Sequence, residues 1–217
     1  MNFSIVTGPG RKQQGGFSMV ELLVVLGIVA ILAAIVIPSI GPLMRSYNLN
    51  RAASMLSDEL SYARQAALTK NADVEVRFYQ VGSTTYTANL PFQAFRCYLS
   101  ASNQALDQIK YLPTQTVIFS QADPANSPTT FSPILDATTY STVLTTGQET
   151  LPGGTTPTAY VSFKFRATGG TNLVPVTSNW YLTLCAQNVT TNANGLPSNY
   201  VSVQVDPVTG TQRTYRP

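Results

Sequence analysis

The stretch that decides the fold is Gly16-Phe17-Ser18-Met19-Val20-Glu21, followed by LLVVLGIVAILAAIVI at Leu22–Ile37. This apolar run contains sixteen residues and no charge. As a helix rising ~1.5 Å per residue, residues 17–40 would be about 36 Å long, enough for a hydrocarbon core of about 30 Å. The pattern therefore predicts a membrane-spanning helix. The basic residues Arg11 and Lys12 ahead of it predict a cytoplasmic N-terminus, with the rest of the chain outside.

Composition narrows the class of protein. Charged residues make up 11% of the 217 residues and hydrophobic residues 44%, whereas an ordinary soluble domain has about 25% charged residues. This balance argues against a disordered chain. The sequence has no histidine, which excludes His-ligated metal sites, Ser-His-Asp catalysis and histidine acid–base chemistry.

Two carboxylate pairs are the remaining candidates for catalysis. Asp58 and Glu59 are neighbours that point apart on a predicted helix, and Asp73 and Glu75 share a strand face that we expect to be solvated. No glycine-rich phosphate loop or nucleophile motif accompanies them. We therefore expect neither an enzyme nor a cofactor.

Beyond the apolar run the helix pattern resumes. Pro38, Gly41 and Pro42 predict a kink or local melting. Residues 43–72 then form an amphipathic continuation whose apolar positions recur every three or four residues: Leu49, Ala52, Ala53, Leu56, Leu60, Ala63 and Ala67. The opposite face carries Asp58, Glu59, Arg64, Gln65 and Lys70. The apolar stripe is expected to pack against a sheet.

From residue 73 onward the pattern is that of strands. Candidate strands are Val74–Tyr79, Tyr86–Leu90, Phe95–Leu99, Val117–Phe119, Tyr160–Phe165, Tyr181–Cys185 and Tyr200–Val205. Residues 121–158 are rich in Thr, Ser, Pro and Gly and predict an exposed insertion. The predicted fold class is α+β, a long N-terminal helix packed on an antiparallel β-sheet domain. Its parts are a leader (1–16), a membrane and assembly helix (17–42), the helix continuation (43–72) and a β domain (73–217).

The junction Gly16-Phe17, with Glu21 four residues later, resembles the class III signal of type IV prepilins and secretion pseudopilins. The resemblance implies that prepilin peptidase cuts after Gly16 and that Phe17 becomes N-methylated. Glu21 then stands at the fifth mature position, and Pro38 at the twenty-second, where pilins often carry a helix-bending proline. The alternatives are a secretory signal cleaved near Ala33-Ala34 and an uncleaved signal anchor.

Glu21 is costly beside an apolar run, because a carboxylate near the bilayer centre costs about 2.5–3.5 kcal/mol on insertion scales. One reading is an interfacial residue favoured by the helix dipole. The other is a partner in a neighbouring subunit. The resemblance implies the second: Glu21 neutralises the Phe17 amine of its neighbour during assembly, and two desolvated opposite charges set the register.

Further segments resemble the H-type pseudopilins and the related FimT proteins. These are the helix end at residues 51–67 running into 71–76, the strand and turn at 161–169, and the C-terminal strand and tail at 201–216. The tail departs from the family pattern, since Thr211 and Gln212 separate Gly210 from Arg213. The resemblance implies a minor pseudopilin or pilin of a type II secretion or type IV pilus machine. Its partners would be other pilins and an inner-membrane assembly platform. It would be a single-pass inner-membrane protein with a periplasmic C-terminal domain.

The FimT branch adds a second hypothesis, because its basic tail captures DNA for uptake. Arg213 and Arg216, with Lys164 and Arg166, would contact phosphates, and Tyr215 would stack on a base. The alternative is that the two arginines are solvated charges protecting a sheet edge.

The cysteines also leave two alternatives. Cys97 and Cys185 form one disulfide in an oxidising periplasm, or they are two separate buried thiols.

Overall fold

The structure is a computed structural model. It describes residues 16–88, 90–119, 132–175, 180–187, 197 and 199–216, without the side chains of residues 35–40. The chain divides into two units, Met1–Pro42 and Leu43–Pro217. The predicted local melting at Pro38, Gly41 and Pro42 does not occur, because the backbone is helical through these residues. The side chain of Pro38 lies outside the described residues.

Helix α1 runs from Met19 to Lys70. The sequence predicted that its first half spans a membrane. Within the part of the chain that the structure describes, no helix is both long and apolar enough for a membrane crossing.

The end of α1 is a Schellman motif. Asn71 has a φ of 47°, in the left-handed region, and its amide donates to the carbonyl of Leu68 at 3.4 Å. The amide of Ala72 donates to the carbonyl of Ala67 at 3.2 Å. These two bonds satisfy carbonyls that the last turn would otherwise leave unpaired. The chain then enters its first strand directly.

Within the described ranges, ten strands form two antiparallel sheets. In the first sheet the strand order is β3-β2-β1-β7-β6, and β4 also pairs with β2. Its strands are β1 Val74–Gln80, β2 Ala94–Leu99, β3 Gln104–Ala105, β4 Lys110–Tyr111, β6 Thr145–Thr150 and β7 Pro157–Phe165. In the second sheet the order is β10-β9-β8-β5, with β5 Thr116–Phe119, β8 Tyr181–Ala186, β9 Tyr200–Val205 and β10 Gln212–Tyr215.

The core lies between the second half of α1 and the two sheets. The predicted helix stripe is buried, with Leu56, Leu60 and Ala63 each fully inaccessible. It belongs to one apolar cluster with residues of both sheets: Val76, Phe78, Phe95, Phe163, Leu182, Leu184, Val201 and Val203. The small alanine side chains allow the helix backbone to approach the strands closely. The α+β prediction, with the N-terminal helix packed on antiparallel sheets, is confirmed.

Other predictions need correction. Residues 86–88 and 90 are irregular, so no strand forms at the predicted Tyr86–Leu90. Four short or polar strands, β3, β4, β6 and β10, were not predicted. The segment 121–158 is not simply an exposed insertion. Residues 120–131 lie outside the described residues, but Ile134, Leu135 and Leu144 are buried in the main core. Isolated apolar residues in a polar stretch show no periodicity, so only tertiary packing reveals them.

Candidate functional site

The N-terminal helix start is organised by Ser18 and Glu21. Ser18 directly precedes α1, and its hydroxyl oxygen accepts a hydrogen bond from the amide of Val20 at 3.3 Å. Glu21 lies in the first turn, and Ser-x-x-Glu is the sequence of a capping box. The helix dipole favours a carboxylate at this end. Phe17 stands just ahead of the helix with 81% of its surface exposed.

The helix of the first unit presents an apolar surface. Each large apolar residue described here is at least half exposed, including Leu22, Leu26 and Ile31. A helix that is hydrophobic around its whole circumference requires burial in lipid or in an assembly. This surface is therefore a contact surface, and Glu21 is the only ionisable side chain among residues 16–34.

Comparison with known proteins supports this reading. The family described as the prokaryotic N-terminal methylation motif matches residues 11–37. The match includes Gly16, Phe17 and Glu21 together. It supports a type IV prepilin-like protein with membrane anchoring through the N-terminal segment, and it points to a structural subunit and not an enzyme. No curated protein matches the chain, and no solved structure does.

The residues predicted to contact DNA are divided between the two sheets. Arg213 and Tyr215 lie on β10, an edge strand of the second sheet, and Arg216 follows it; all three are exposed. Lys164 lies on β7 of the first sheet, half-buried, and Arg166 follows it, exposed. The tail group, Arg213, Tyr215 and Arg216, therefore belongs to a different sheet from Lys164 and Arg166.

The tail group has a local counter-charge. A backbone hydrogen bond from Thr209, with a smaller contribution from the charge of Arg213, lowers the pKa of Asp206. Asp206 therefore stays ionised and partly offsets the charge of Arg213.

The two cysteines are separate buried thiols. Cys97 lies on β2 of the first sheet and Cys185 on β8 of the second, and both are free. This arrangement corresponds to the second alternative, two separate buried thiols. Burial raises the pKa of Cys185 to about 12, which leaves it protonated and unreactive at neutral pH.

Sequence reasoning missed a buried polar cluster that we call the Glu59 cluster: Glu59, Cys97, Asp107 and Lys110. The sequence placed Glu59 on the solvent face of the helix, but its exposed fraction is zero. The signal was present in the spacing, since Glu59 is three residues after Leu56 and four before Ala63, both core positions. The Cys97 thiol donates to a Glu59 carboxylate oxygen at 3.0 Å.

Lys110 supplies the counter-charge in the Glu59 cluster. Its ammonium donates to Glu59 and lies 3.2 Å from Asp107 Oδ2. Burial raises the pKa of Glu59, the neighbouring Asp107 raises it further, and Cys97 and Lys110 oppose this. Burial also raises the pKa of the Cys97 thiol. The cluster thus holds a thiol, two carboxyl groups and one ammonium.

A second polar group lies on the other face of the first sheet, and we call it the Arg77 cluster: Glu75, Arg77, Tyr79, Tyr98 and Glu149. Arg77 donates to Glu75 at 2.9 Å and to Glu149 at 3.0 Å. Tyr79 donates to Glu149 at 2.7 Å. The expectation of a solvated Glu75 is wrong, because this residue is only 7% exposed. Because Arg77 bridges both carboxylates and Tyr79 donates to Glu149, the Arg77 cluster is a hydrogen-bonded structural network.

Proposed function

We propose that this protein is a minor pseudopilin or pilin subunit of a type II secretion or type IV pilus machine, of the H/FimT kind. The observation that carries the proposal is the exposed apolar helix that begins at Phe17-Ser18-Met19-Val20-Glu21, inside the matched methylation motif. In this proposal the chain is inserted as a prepilin, cut after Gly16, methylated on Phe17 and assembled into a filament.

The physical role of the N-terminus follows from its charges. Cleavage after Gly16 leaves a free amine on Phe17. Among residues 16–34 the ionisable side chain available to it is Glu21. Glu21 of one subunit pairs with the Phe17 amine of the next. When an ion pair is buried away from water, the loss of one partner strongly destabilises the assembly, because the other charge is left buried and unpaired. The pair therefore fixes the register while the apolar helix passes from lipid into the filament.

The contacts of Arg64 support the finer H/FimT assignment. Its Nε donates to the carbonyl oxygens of Gly169 at 3.2 Å and Thr209 at 2.8 Å. Arg64 lies in the helix end, Gly169 in the turn after β7, and Thr209 in the loop before β10. These are the three segments in which the sequence resembles that family, and they meet at one side chain.

The proposed partners and location follow from this assignment. Prepilin peptidase processes the chain, an inner-membrane platform assembles it, and other pilins surround its helix. Before assembly the N-terminus is cytoplasmic and the C-terminal domain periplasmic, and after assembly the subunit is part of the filament. The Pro38 position would bend the mature helix.

The test is co-expression of the full chain with a prepilin peptidase, followed by mass spectrometry of the N-terminal peptide. The proposal expects a peptide that starts at methylated Phe17. Glu21→Gln should be processed but excluded from filaments, while Asp58→Asn, which changes an exposed carboxylate on the same helix, should assemble. A mature N-terminus near Ala33, or an uncut chain, would refute the proposal.

A second candidate function is DNA binding by a FimT-like minor pilin during DNA uptake. The observation in its favour is the exposed group Arg213, Tyr215 and Arg216 at one sheet edge. Two to four phosphate contacts would give weak binding. The logarithm of the association constant would fall linearly with the logarithm of the salt concentration, with a slope of about −0.9 per phosphate contact.

Double-stranded DNA binding by the full chain over a salt series tests the DNA function. The double variant Arg213→Ala/Arg216→Ala should bind DNA more weakly. Its salt dependence should also be shallower by the equivalent of about two phosphate contacts. Lys164→Ala/Arg166→Ala should show whether the β7 cations contribute, and Arg51→Ala is the control. Absence of binding by the unaltered chain at low salt would leave the arginines as edge charges.

A further inference from the structure

The Glu59 cluster holds three different metal-ligating side chains within the second unit of the chain. We propose that it is a site for a divalent transition-metal ion, with Zn²⁺ as the best fit, bound by Cys97 Sγ and by one carboxylate oxygen each of Glu59 and Asp107. This proposal is independent of the function proposed above.

The geometry is close to that of a three-ligand zinc site. One ligand atom from each of Glu59, Cys97 and Asp107 lies within 4.8 Å of the other two. With Zn–S and Zn–O bonds of about 2.3 and 2.1 Å, tetrahedral ligand atoms lie about 3.6 Å apart. Asp107 is already held over the site, because its Oδ1 accepts a hydrogen bond from the Cys97 amide at 3.2 Å. Each pair of ligand atoms is thus at most about 1.2 Å farther apart than in a tetrahedral zinc site.

The site already attracts a cation. The Lys110 ammonium contacts both carboxylates, and its side chain is 40% exposed whereas that of Glu59 is fully buried. Lysine thus enters from the solvent side and has room to withdraw along its flexible stem. Its departure would leave a fourth coordination position for water.

Asp107 Oδ2 provides a separate indication. Among the described residues, it is the one buried side-chain oxygen or nitrogen that makes no hydrogen bond. Its partner in this structure is the Lys110 ammonium, an ion-pair contact at 3.2 Å. Metal binding would give this oxygen a ligand bond in place of that contact.

The charge balance also favours a divalent ion. When bound to a metal, Glu59, Cys97 and Asp107 carry three negative charges. A divalent ion neutralises two of them, and the Lys110 ammonium, displaced toward solvent but still nearby, neutralises the third. The mixed thiolate and carboxylate set selects against Mg²⁺ and Ca²⁺, which prefer oxygen alone.

Bound metal would join three parts of the domain: α1 through Glu59, β2 through Cys97 and the connection between β3 and β4 through Asp107. A ligand that binds only the folded state raises stability by mass action. The metal would therefore act as a structural cross-link.

The experiment is a Co²⁺ titration of the full chain, purified in detergent, stripped with a chelator and kept reduced. The proposal expects one Co²⁺ per chain with a thiolate-to-cobalt charge-transfer band, displaced by Zn²⁺ and not by Mg²⁺. Zn²⁺ should also raise the thermal midpoint reported by the fluorescence of Trp180, the single tryptophan, which is buried.

Matched variants make the result decisive. Cys97→Ser should abolish the band, whereas Cys185→Ser, which alters the other buried thiol, should keep it. Lys110→Met, which leaves all three ligands intact, should bind Co²⁺ about fivefold more tightly, the upper range for a partly exposed ion pair. The proposal is overturned if the unaltered chain shows no band or if the band survives in Cys97→Ser. Should Cys97→Ser not fold, unchanged or weaker binding by Lys110→Met overturns the proposal.

Discussion

The guanidinium of Arg77 on β1 donates to the carboxylate of Glu149 on β6 at 3.0 Å, across the intervening strand β7. The Arg77 Cζ atom also lies 4.1 Å from the ring centroid of Tyr98 and 4.6 Å from that of Tyr160. Charge pairing and stacking together hold the sheet face that is turned away from the helix. As a result, β1 is buried on both faces.

Removal of the Arg77 guanidinium should destabilise the domain strongly. Arg77→Ala leaves Glu75 and Glu149 without their shared cation, and breaking a buried pair costs about 3–5 kcal/mol. Urea unfolding followed by Trp180 fluorescence measures the change. Arg213→Ala, which removes an exposed arginine, should stay within about 0.5 kcal/mol. Equal effects of the two variants would show that the Arg77 cluster does not stabilise the fold.

Protonation of Glu149 should lower the free energy of unfolding of the domain at acidic pH. Burial opposes its ionisation, but hydrogen bonds from Tyr98, Tyr79 and Arg77 outweigh burial and lower the pKa of Glu149 below 4.5. Its contribution is therefore complete above the unfolded pKa and is lost as pH falls through the lower folded pKa. Between pH 6 and about pH 3, Glu149→Gln should lose less unfolding free energy than the unaltered chain.

The control for this acid dependence is Asp58→Asn, which changes an exposed carboxylate. It should lose as much stability on acidification as the unaltered chain does. An identical pH slope in Glu149→Gln and in the unaltered chain would contradict the assignment of the acid sensitivity to Glu149.

Gly210 should tolerate no side chain. Its φ is +67°, and an added Cβ would overlap the carbonyl oxygen of Gly169 and lie 3.2 Å from Arg64 Cδ. Gly82 has a φ of +89° but open space around it. Gly82→Ala should therefore cost about 1 kcal/mol of backbone strain, and Gly210→Ala clearly more. Thermal unfolding compares the two, and equal costs would mean that the close approach at Gly210 is unimportant.

Asn71 should be replaceable by glycine but not by a branched residue. It occupies the left-handed position of the Schellman motif, which glycine adopts without a steric penalty. Asn71→Gly should be neutral or slightly stabilising, whereas Asn71→Val should cost about 1–2 kcal/mol. Urea unfolding measures both. A more stable Asn71→Val variant would show that α1 ends differently.

The helix and several strands could be predicted from the sequence because the patterns that identify them are local. The helix stripe around Leu56 and the alternation at Val74–Tyr79 carry periods of 3.6 and 2, which identify a helix and a strand without knowledge of their partners. Strands β3 and β10 carry no such signal, because two or four polar residues are too few to show a period. They exist because β2 and β9 offer unpaired edges beside them.

The sequence by itself determined the methylation motif, the apolar run and the position of Glu21, because each of these is a pattern of neighbouring residues. Tertiary structure decided the rest. It buried Glu59 beside Cys97, separated Cys97 from Cys185 and placed Arg213 on a different sheet from Lys164. Burial and ion pairing depend on which strands meet, and strands far apart in sequence carry no local record of their neighbours.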